Sequence, residues 1–186
     1  MKKALPVLLF LTVVIAALGF APGAGARIFP GTEVAPLETC PNQTDPELAA
    51  AEQAEVMLCM TNYARAANGL RPLAGSRQLG RAAEQKSNDM INCDEFSHEA
   101  CGRPFTFWDH RYGYLKGCWR TAENIAWGTG TDSNVRTIFT AWLESPEHHA
   151  NILGPYREIG IGLRVGNIEG HEAAAVWTQD FGSHRC

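Results

Sequence analysis

Hydrophobic positions recur with helical spacing in the first half of this chain. Asp45-Pro46-Glu47 is a strong helix start, because the aspartate can cap free amides and proline suits the first turn. The predicted helix runs to about Ala67 and ends at Asn68-Gly69. A second helix is predicted from about Ser76 to Ile91, with a buried stripe of small and apolar side chains: Leu79, Ala82, Ala83 and Met90.

A third helix is predicted after a cap at Asp132 or Ser133. Its apolar positions fit one helical face completely: Val135, Ile138, Phe139, Trp142 and Leu143. Pro146 interrupts this helix, since the residue before a proline disfavours helical geometry. We therefore expect Ser145 to cap a new short helix that contains His148.

Strand periodicity appears in the second half. Residues 121–127 read as a short strand. Apolar residues alternate with glycine from Ile159 to Val165, and a return strand is predicted at about 172–181, after a loop at 166–170. Gly160 and Gly162 leave one sheet face without side chains, so a helix can approach closely. The order of elements predicts an α+β fold, with helices on both faces of a small, mainly antiparallel sheet.

The N-terminus has the three parts of a secretory signal peptide: Lys2 and Lys3, an apolar run to about Phe20, and Ala24-Gly25-Ala26. An uncleaved membrane anchor is the alternative, but Pro6 and Pro22 at the ends of the run favour cleavage. We predict a signal peptide at 1–26, an N-terminal arm at 27–45 and one domain at 46–186. The protein is then secreted and extracellular, without a transmembrane span after cleavage.

The formal net charge is −4, and no run of basic residues exists. Nucleic acid is therefore an improbable partner, and an anionic membrane surface gains no attraction from the overall charge. The six cysteines follow the export signal, which predicts disulfides: Cys40, Cys59, Cys93, Cys101, Cys118 and Cys186. Fifteen pairings are open. Cys40–Cys59 is preferred because it would tie the arm to the first helix, and a further bridge should brace the loop around His98.

Residues 92–120 form a loop-rich stretch crowded with aromatic side chains: Phe105, Phe107, Trp108, Tyr112, Tyr114 and Trp119. Two interpretations stay open. The aromatic residues either form a small satellite core under a long loop, or they present a binding surface.

Five stretches together resemble the CAP superfamily, also called SCP, and in particular its compact bacterial branch. They are Thr61 to Leu73, Phe96-Ser97-His98, Ala122 to Ala126, Trp142 to Leu153, and Trp177 to Gly182. The resemblance covers residues 50–182 and implies a three-layer α-β-α sandwich.

The resemblance also implies a cleft with two histidines and two acids, which in some members holds a divalent metal. The matching residues are His98, Glu123, Glu144 and His148. Glu144 sits one residue short of the spacing in eukaryotic members, and Ala122 replaces the usual glycine. Zinc or another divalent cation could take His98, Glu123 and His148 as ligands, with water in a fourth position.

Three functions follow as hypotheses. The preferred one is a non-catalytic binding or interaction module for a lipid-like small molecule or a cell-surface component, because no side chain is a convincing activated nucleophile. The alternative is a zinc-dependent extracellular hydrolase that acts on peptides or cell wall. The third is a structural surface domain whose histidines and acids form a hydrogen-bonded cluster. No residue is assigned as catalytic, and the sequence does not set an oligomeric state.

Overall fold

A computed structural model describes residues 33–184, so the predicted signal peptide at 1–26 and the first residues of the arm lie outside the described residues. The helices and strands follow one another in the order α1 Ala50–Ala67, β1 Ala74–Gly75, α2 Arg77–Asn92, α3 Phe107–Arg111, β2 Arg120–Gly128, α4 Val135–Glu144, α5 Pro146–Ile152, β3 Glu158–Ile168 and β4 His171–Ser183.

The strands form one four-stranded sheet in the order β1-β3-β4-β2. The β3–β4 and β4–β2 pairs are antiparallel, as predicted. The sheet is nevertheless mixed, since the two-residue strand β1 pairs in parallel with the start of β3. This strand escaped sequence analysis because two residues carry no periodicity.

Helices cover both faces of the sheet, which confirms the predicted layers. Met57 and Met60 of α1 pack with Phe139 and Trp142 of α4 and with Ile159 of β3 on one face. The other face is covered by α2. A methyl carbon at Gly160 would lie 2.0 Å from the backbone of Leu79, and one at Gly162 would lie 2.2 Å from that of Ala83. The glycines therefore set how closely α2 approaches.

Two helix starts differ from the prediction. The first helix begins at Ala50 rather than at Asp45, because the side-chain amide of Gln53 donates to the carbonyl oxygens of Pro46 (3.0 Å) and Leu48 (2.9 Å) and holds this segment in turns. The cap of α4 is Asn134, whose Oδ1 accepts from the amide of Thr137 at 2.9 Å. The predicted caps Asp132 and Ser133 lie in a preceding 3₁₀ turn.

The predicted hairpin is present, with longer strands than expected. Its loop is reduced to Glu169 and Gly170, whose φ angles of 49° and 81° are both positive. A two-residue turn in which both φ angles are positive has a twist that matches the right-handed twist of the flanking strands.

Disulfides fasten the arm and the loop after α2. Cys40 pairs with Cys59, as predicted, and ties the arm to α1. Cys93 pairs with Cys101 and closes the loop that carries His98, as expected. Cys118 is also disulfide-bonded.

We expect Gly160→Ala to destabilise the fold, because its methyl group would overlap the backbone of α2, which cannot move aside as a side-chain tip can. Overpacking costs about 1–3 kcal/mol, or a fall in Tm of roughly 3–10 °C. The control is Gly80→Ala, where the added methyl group meets nothing within 4 Å and helix propensity favours alanine. Thermal unfolding followed by circular dichroism checks both. Equal Tm changes would contradict the close approach.

Candidate functional site

His98 and Glu123 form a direct contact between the loop after α2 and the middle of β2. His98 Nδ1 lies 2.6 Å from Glu123 Oε1. The imidazole is half exposed, whereas the carboxyl group is 1% exposed. The pair therefore joins a buried acid to a ring that faces solvent, and the acid fixes the orientation of the ring.

Two further buried acids surround Glu123. Asp180 of β4 is its partner in the strand register, and Asp109 lies in α3. Each of the three has one buried carboxyl oxygen without a hydrogen-bond partner among the described residues. Burial is the main cause that raises the pKa of all three acids, and that of Asp109 rises to about 7. Asp109 also accepts a hydrogen bond from Thr121 Oγ1 at 3.1 Å, which opposes the rise.

Lys86 of α2 supplies the positive charge for this group. It is 2% exposed, and its ammonium group donates to the backbone oxygen of His98 at 2.5 Å. Burial lowers the pKa of Lys86, while Glu123 and Asp180 act in the opposite direction. Lys86 therefore holds the His98 loop and partly neutralises the acids beneath it. We call Lys86, Asp109, Glu123 and Asp180 the buried charge cluster.

His148 is brought toward the same site from the opposite face of the sheet. Burial lowers its pKa, and the nearby charge of His98 lowers it further, against a smaller effect of Glu147. Asn124 of β2 donates to the backbone oxygen of His148 at 3.2 Å, and Asn151 of α5 donates to the backbone oxygen of Glu123 at 3.3 Å. These two amides fasten α5 to β2.

A hollow of about 280 Å³ lies beside His148, and we call it the histidine cleft. Its walls are mostly apolar, and its lining residues are Phe96, Ile125, Ala126, Trp127, Ala141, Trp142, Ser145 and His148. The indole of Trp142 donates to the backbone oxygen of Ile125 at 3.0 Å, so this wall is fixed. The cleft can therefore hold the apolar part of a ligand, and the imidazole of His148 can contact a polar group of the same ligand.

The fourth residue of the predicted tetrad forms no hydrogen bond or ion pair with the other three. Glu144 is exposed at the end of α4 and makes no side-chain hydrogen bond or ion pair with the described residues. Ser145 is extended rather than helical and ends α4 directly after Glu144, so Glu144 and His148 do not share one continuous helical face.

The residues fit a divalent cation poorly. Within residues 33–184, no three His, Cys, Asp or Glu side chains are grouped so that they could hold a metal ion. Glu123 is already bound to His98, so it orients an imidazole instead of adding a third ligand. The metal hypothesis for His98, Glu123 and His148 gains no support from this geometry.

Sequence analysis missed Lys86, Asp109 and Asp180. Lys86 occupies a position on the apolar stripe of α2, between Ala83 and Met90, and a lysine at a core position is a signal of a buried charge. Asp180 is likewise a charged residue within the buried part of its element, β4. Asp109 carries no such signal, because α3 has only five residues.

The sequence model of the cysteine-rich secretory protein family, CAP, matches residues 58–181. The chain belongs to this family. An uncharacterized protein of Bacillus subtilis, YkwD, is 35% identical over 125 residues, which cover 66% of this chain and 44% of that protein. This chain therefore spans less than half of that relative.

Solved structures share the fold. An extracellular SCP-domain protein of Bacillus anthracis has a TM-score of 0.59 at 24% identity, over 71% of this chain and 40% of that chain. An outer surface protein of Borrelia burgdorferi has a TM-score of 0.61 at 17% identity, over 74% of this chain and 97% of that chain. Among residues 33–184, none of the helices has the length and apolar character needed to cross a membrane.

Asp109→Asn should change how stability depends on pH. Because burial raises the pKa of Asp109 from 3.8 to about 7, the folded protein keeps a proton that the unfolded chain loses above about pH 4. The wild type therefore loses stability as the pH rises from 4 to 7, and the neutral variant lacks this loss. Between pH 5 and pH 8, we expect the Tm of the variant relative to the wild type to rise by roughly 5 °C.

Thermal unfolding at pH 5, 6, 7 and 8 measures this difference. Asp132→Asn is the control, because Asp132 is an exposed carboxylate in a surface turn. The same pH profile for both variants would mean that Asp109 does not hold a buried proton.

His98→Gln should raise the pKa of His148 toward its ordinary value, because it removes the neighbouring positive charge and leaves the burial of His148 unchanged. NMR titration of the ring protons gives this pKa directly. His110→Gln, on the exposed side of α3, is the matched control and should leave it unchanged. A pKa of His148 that does not respond to His98→Gln would show that the two rings are far apart.

Proposed function

We propose that this protein is a secreted, non-catalytic binding domain whose histidine cleft receives a small amphipathic ligand. The observation that carries the proposal is the lining of the cleft, where six apolar side chains stand against two polar ones, Ser145 and His148. Small-molecule sites in proteins have this composition, with many apolar walls and few polar groups that set orientation. Secretion is supported by the predicted signal peptide, the disulfides and the extracellular description of the Bacillus anthracis neighbour.

The charge state of His148 suits such a ligand. Because its pKa is lowered, the ring is neutral near pH 7 and offers one hydrogen-bond donor and one acceptor. A neutral imidazole also costs little to cover with an apolar ligand, whereas a charged one would have to be desolvated. The apolar part of the ligand would contact Trp127 and Ile125, and its polar end would reach the imidazole.

The hydrogen bonds of the serine and histidine side chains near the cleft favour a binding role over hydrolysis. Nucleophilic catalysis needs a nucleophile within hydrogen-bond distance of a base. Ser97 Oγ accepts from the amide of Glu99 at 3.0 Å, and Ser145 makes no side-chain hydrogen bond to a described residue. His98 is held by Glu123 and lacks such a partner. The zinc-dependent alternative would need a third ligand that the described residues do not bring to the cleft.

Filling the histidine cleft tests this proposal. Ala141→Phe places a large ring in the hollow from an exposed position on α4. Titration with the neutral fluorescent probe N-phenyl-1-naphthylamine should give saturable binding to the wild type, and the variant should weaken it at least about tenfold, since a buried aromatic group contributes about 1.5–3 kcal/mol.

The control is Ala66→Phe, at an exposed position of α1 that does not line the cleft, and it should bind the probe as the wild type does. Absence of saturable binding would contradict the proposal. So would robust hydrolysis of peptide or ester substrates that is lost in His148→Ala.

A further inference from the structure

A second hollow, of about 340 Å³, lies against α3, and we call it the aromatic pocket. It is lined by Pro104, Thr106, Phe107, His110, Arg111, Leu115 and Trp119. Phe107 is 38% exposed and Trp119 is 46% exposed, and they are two of the four large apolar side chains that are exposed among residues 33–184. The aromatic side chains of this loop are divided, since Tyr114 is buried while Phe107 and Trp119 face solvent.

Hydrogen bonds and ring contacts with residues outside the aromatic pocket hold its walls in place. Asp89 of α2 accepts hydrogen bonds from the indole of Trp108 at 2.7 Å and from Arg103 at 2.6 Å. The ring of Phe107 stands edge-on against Trp108, with centroids 5.0 Å apart. The disulfide of Cys118 restrains the chain just before Trp119. The pocket is therefore largely preformed, which lowers the entropic cost of binding.

The segment that forms the pocket carries a charge opposite in sign to that of the whole chain. Residues 103–120 contain four basic side chains and a single acidic one, Asp109, which is fully buried. Arg111, Lys116 and Arg120 are exposed and form no salt bridge with a described residue. Arg111 itself lines the hollow. An apolar cavity with a cationic edge complements a ligand that has an apolar body and an anionic head.

We propose that the aromatic pocket binds a single-chain anionic amphiphile, such as an alkyl carboxylate. The alkyl chain contacts Phe107, Leu115 and Trp119, and the carboxylate pairs with the guanidinium of Arg111, whose planar donors suit two oxygens. A single molecule is favoured over a membrane surface for two reasons. The apolar area is concave, and the net charge of −4 opposes approach to an extended anionic surface, whereas one small ligand responds to the local charges.

This site is separate from the histidine cleft, so each proposal can fail without the other. The experiment uses calorimetry at pH 8 with decanoate, 1-decanol and decyltrimethylammonium, which share one chain length and differ in head charge. All three are added as monomers below micelle formation. We expect one decanoate to bind per chain, about tenfold more tightly than decanol, with the cation weakest.

Two variants separate the head contact from the chain contact. Arg111→Met keeps the side-chain volume and should reduce decanoate affinity to that of decanol, while decanol affinity stays unchanged. Trp119→Ser should weaken both ligands. The matched controls are Arg164→Met on β3 and Val165→Ser, which is 65% exposed, and neither residue lines the pocket. Ala141→Phe in the histidine cleft should also leave decanoate binding intact.

Three results would overturn the proposal. One is equal affinity of the wild type for decanoate and decanol, and another is a preference for decanoate that survives Arg111→Met. The third is sedimentation with phosphatidylglycerol vesicles without saturable binding of monomeric decanoate, which would identify the surface as a membrane contact.

Discussion

The close packing of α2 on the glycine face of the sheet is the constraint on which the rest of the site depends. Because Gly160 and Gly162 have no side chains, the backbone of α2 lies almost in contact with β3, and little space is left for water between them. Lys86 is enclosed in this layer with Glu123 and Asp180 of the adjacent strands. Burying a lysine without acids nearby would cost several kcal/mol, and burying the acids without the lysine would do the same. The buried lysine and the buried acids therefore stabilise one another, and the packing of α2 on the sheet keeps them close together.

The antiparallel register of β2 and β4 distributes polar groups over both faces of the sheet. Glu123 and Asp180 face α2, whereas their neighbours Asn124 and Gln179 are hydrogen-bonded to each other (3.3 Å) on the opposite face. A slip of β2 by one residue would move Glu123 to the opposite face and place its charge against the core of α1 and α4. The register thus explains how histidines from opposite faces are attached to adjacent residues of β2. Glu123 binds the ring of His98, and Asn124, the next residue, binds the backbone of His148.

Periodicity predicted most of the fold because most of its elements bury a continuous stripe. The stripes of α2 and α4 and the alternation in β3 all led to elements of the right type. The start of α1 was wrong, since Gln53 competes for the carbonyl groups of the preceding turn and local helix signals do not report such a contact. Of the predicted site residues, His98 contacts Glu123, and the charge of His98 lowers the pKa of His148. Glu144 shares no continuous helical face with His148, because one extended residue, Ser145, ends α4 directly after it. The buried charge cluster depends on contacts between α2, α3 and two strands, which no single stretch of sequence contains.

Composition describes the charge of this protein poorly, because burial decides which charges act on a ligand. The chain is acidic overall, which argued against anionic partners. Yet Glu123, Asp180 and Asp109 are buried, and their raised pKa values mean that these acids hold protons more strongly than surface acids do. The basic residues of the aromatic loop stay in solvent, since long cationic side chains keep their charged ends hydrated. The packing of α3 buries the side chain of Asp109 on its inner side and leaves Arg111, two residues further along, exposed at the surface. A local cationic surface on an acidic chain therefore results from how α3 is packed, and it sets the sign of the charge that a ligand meets there.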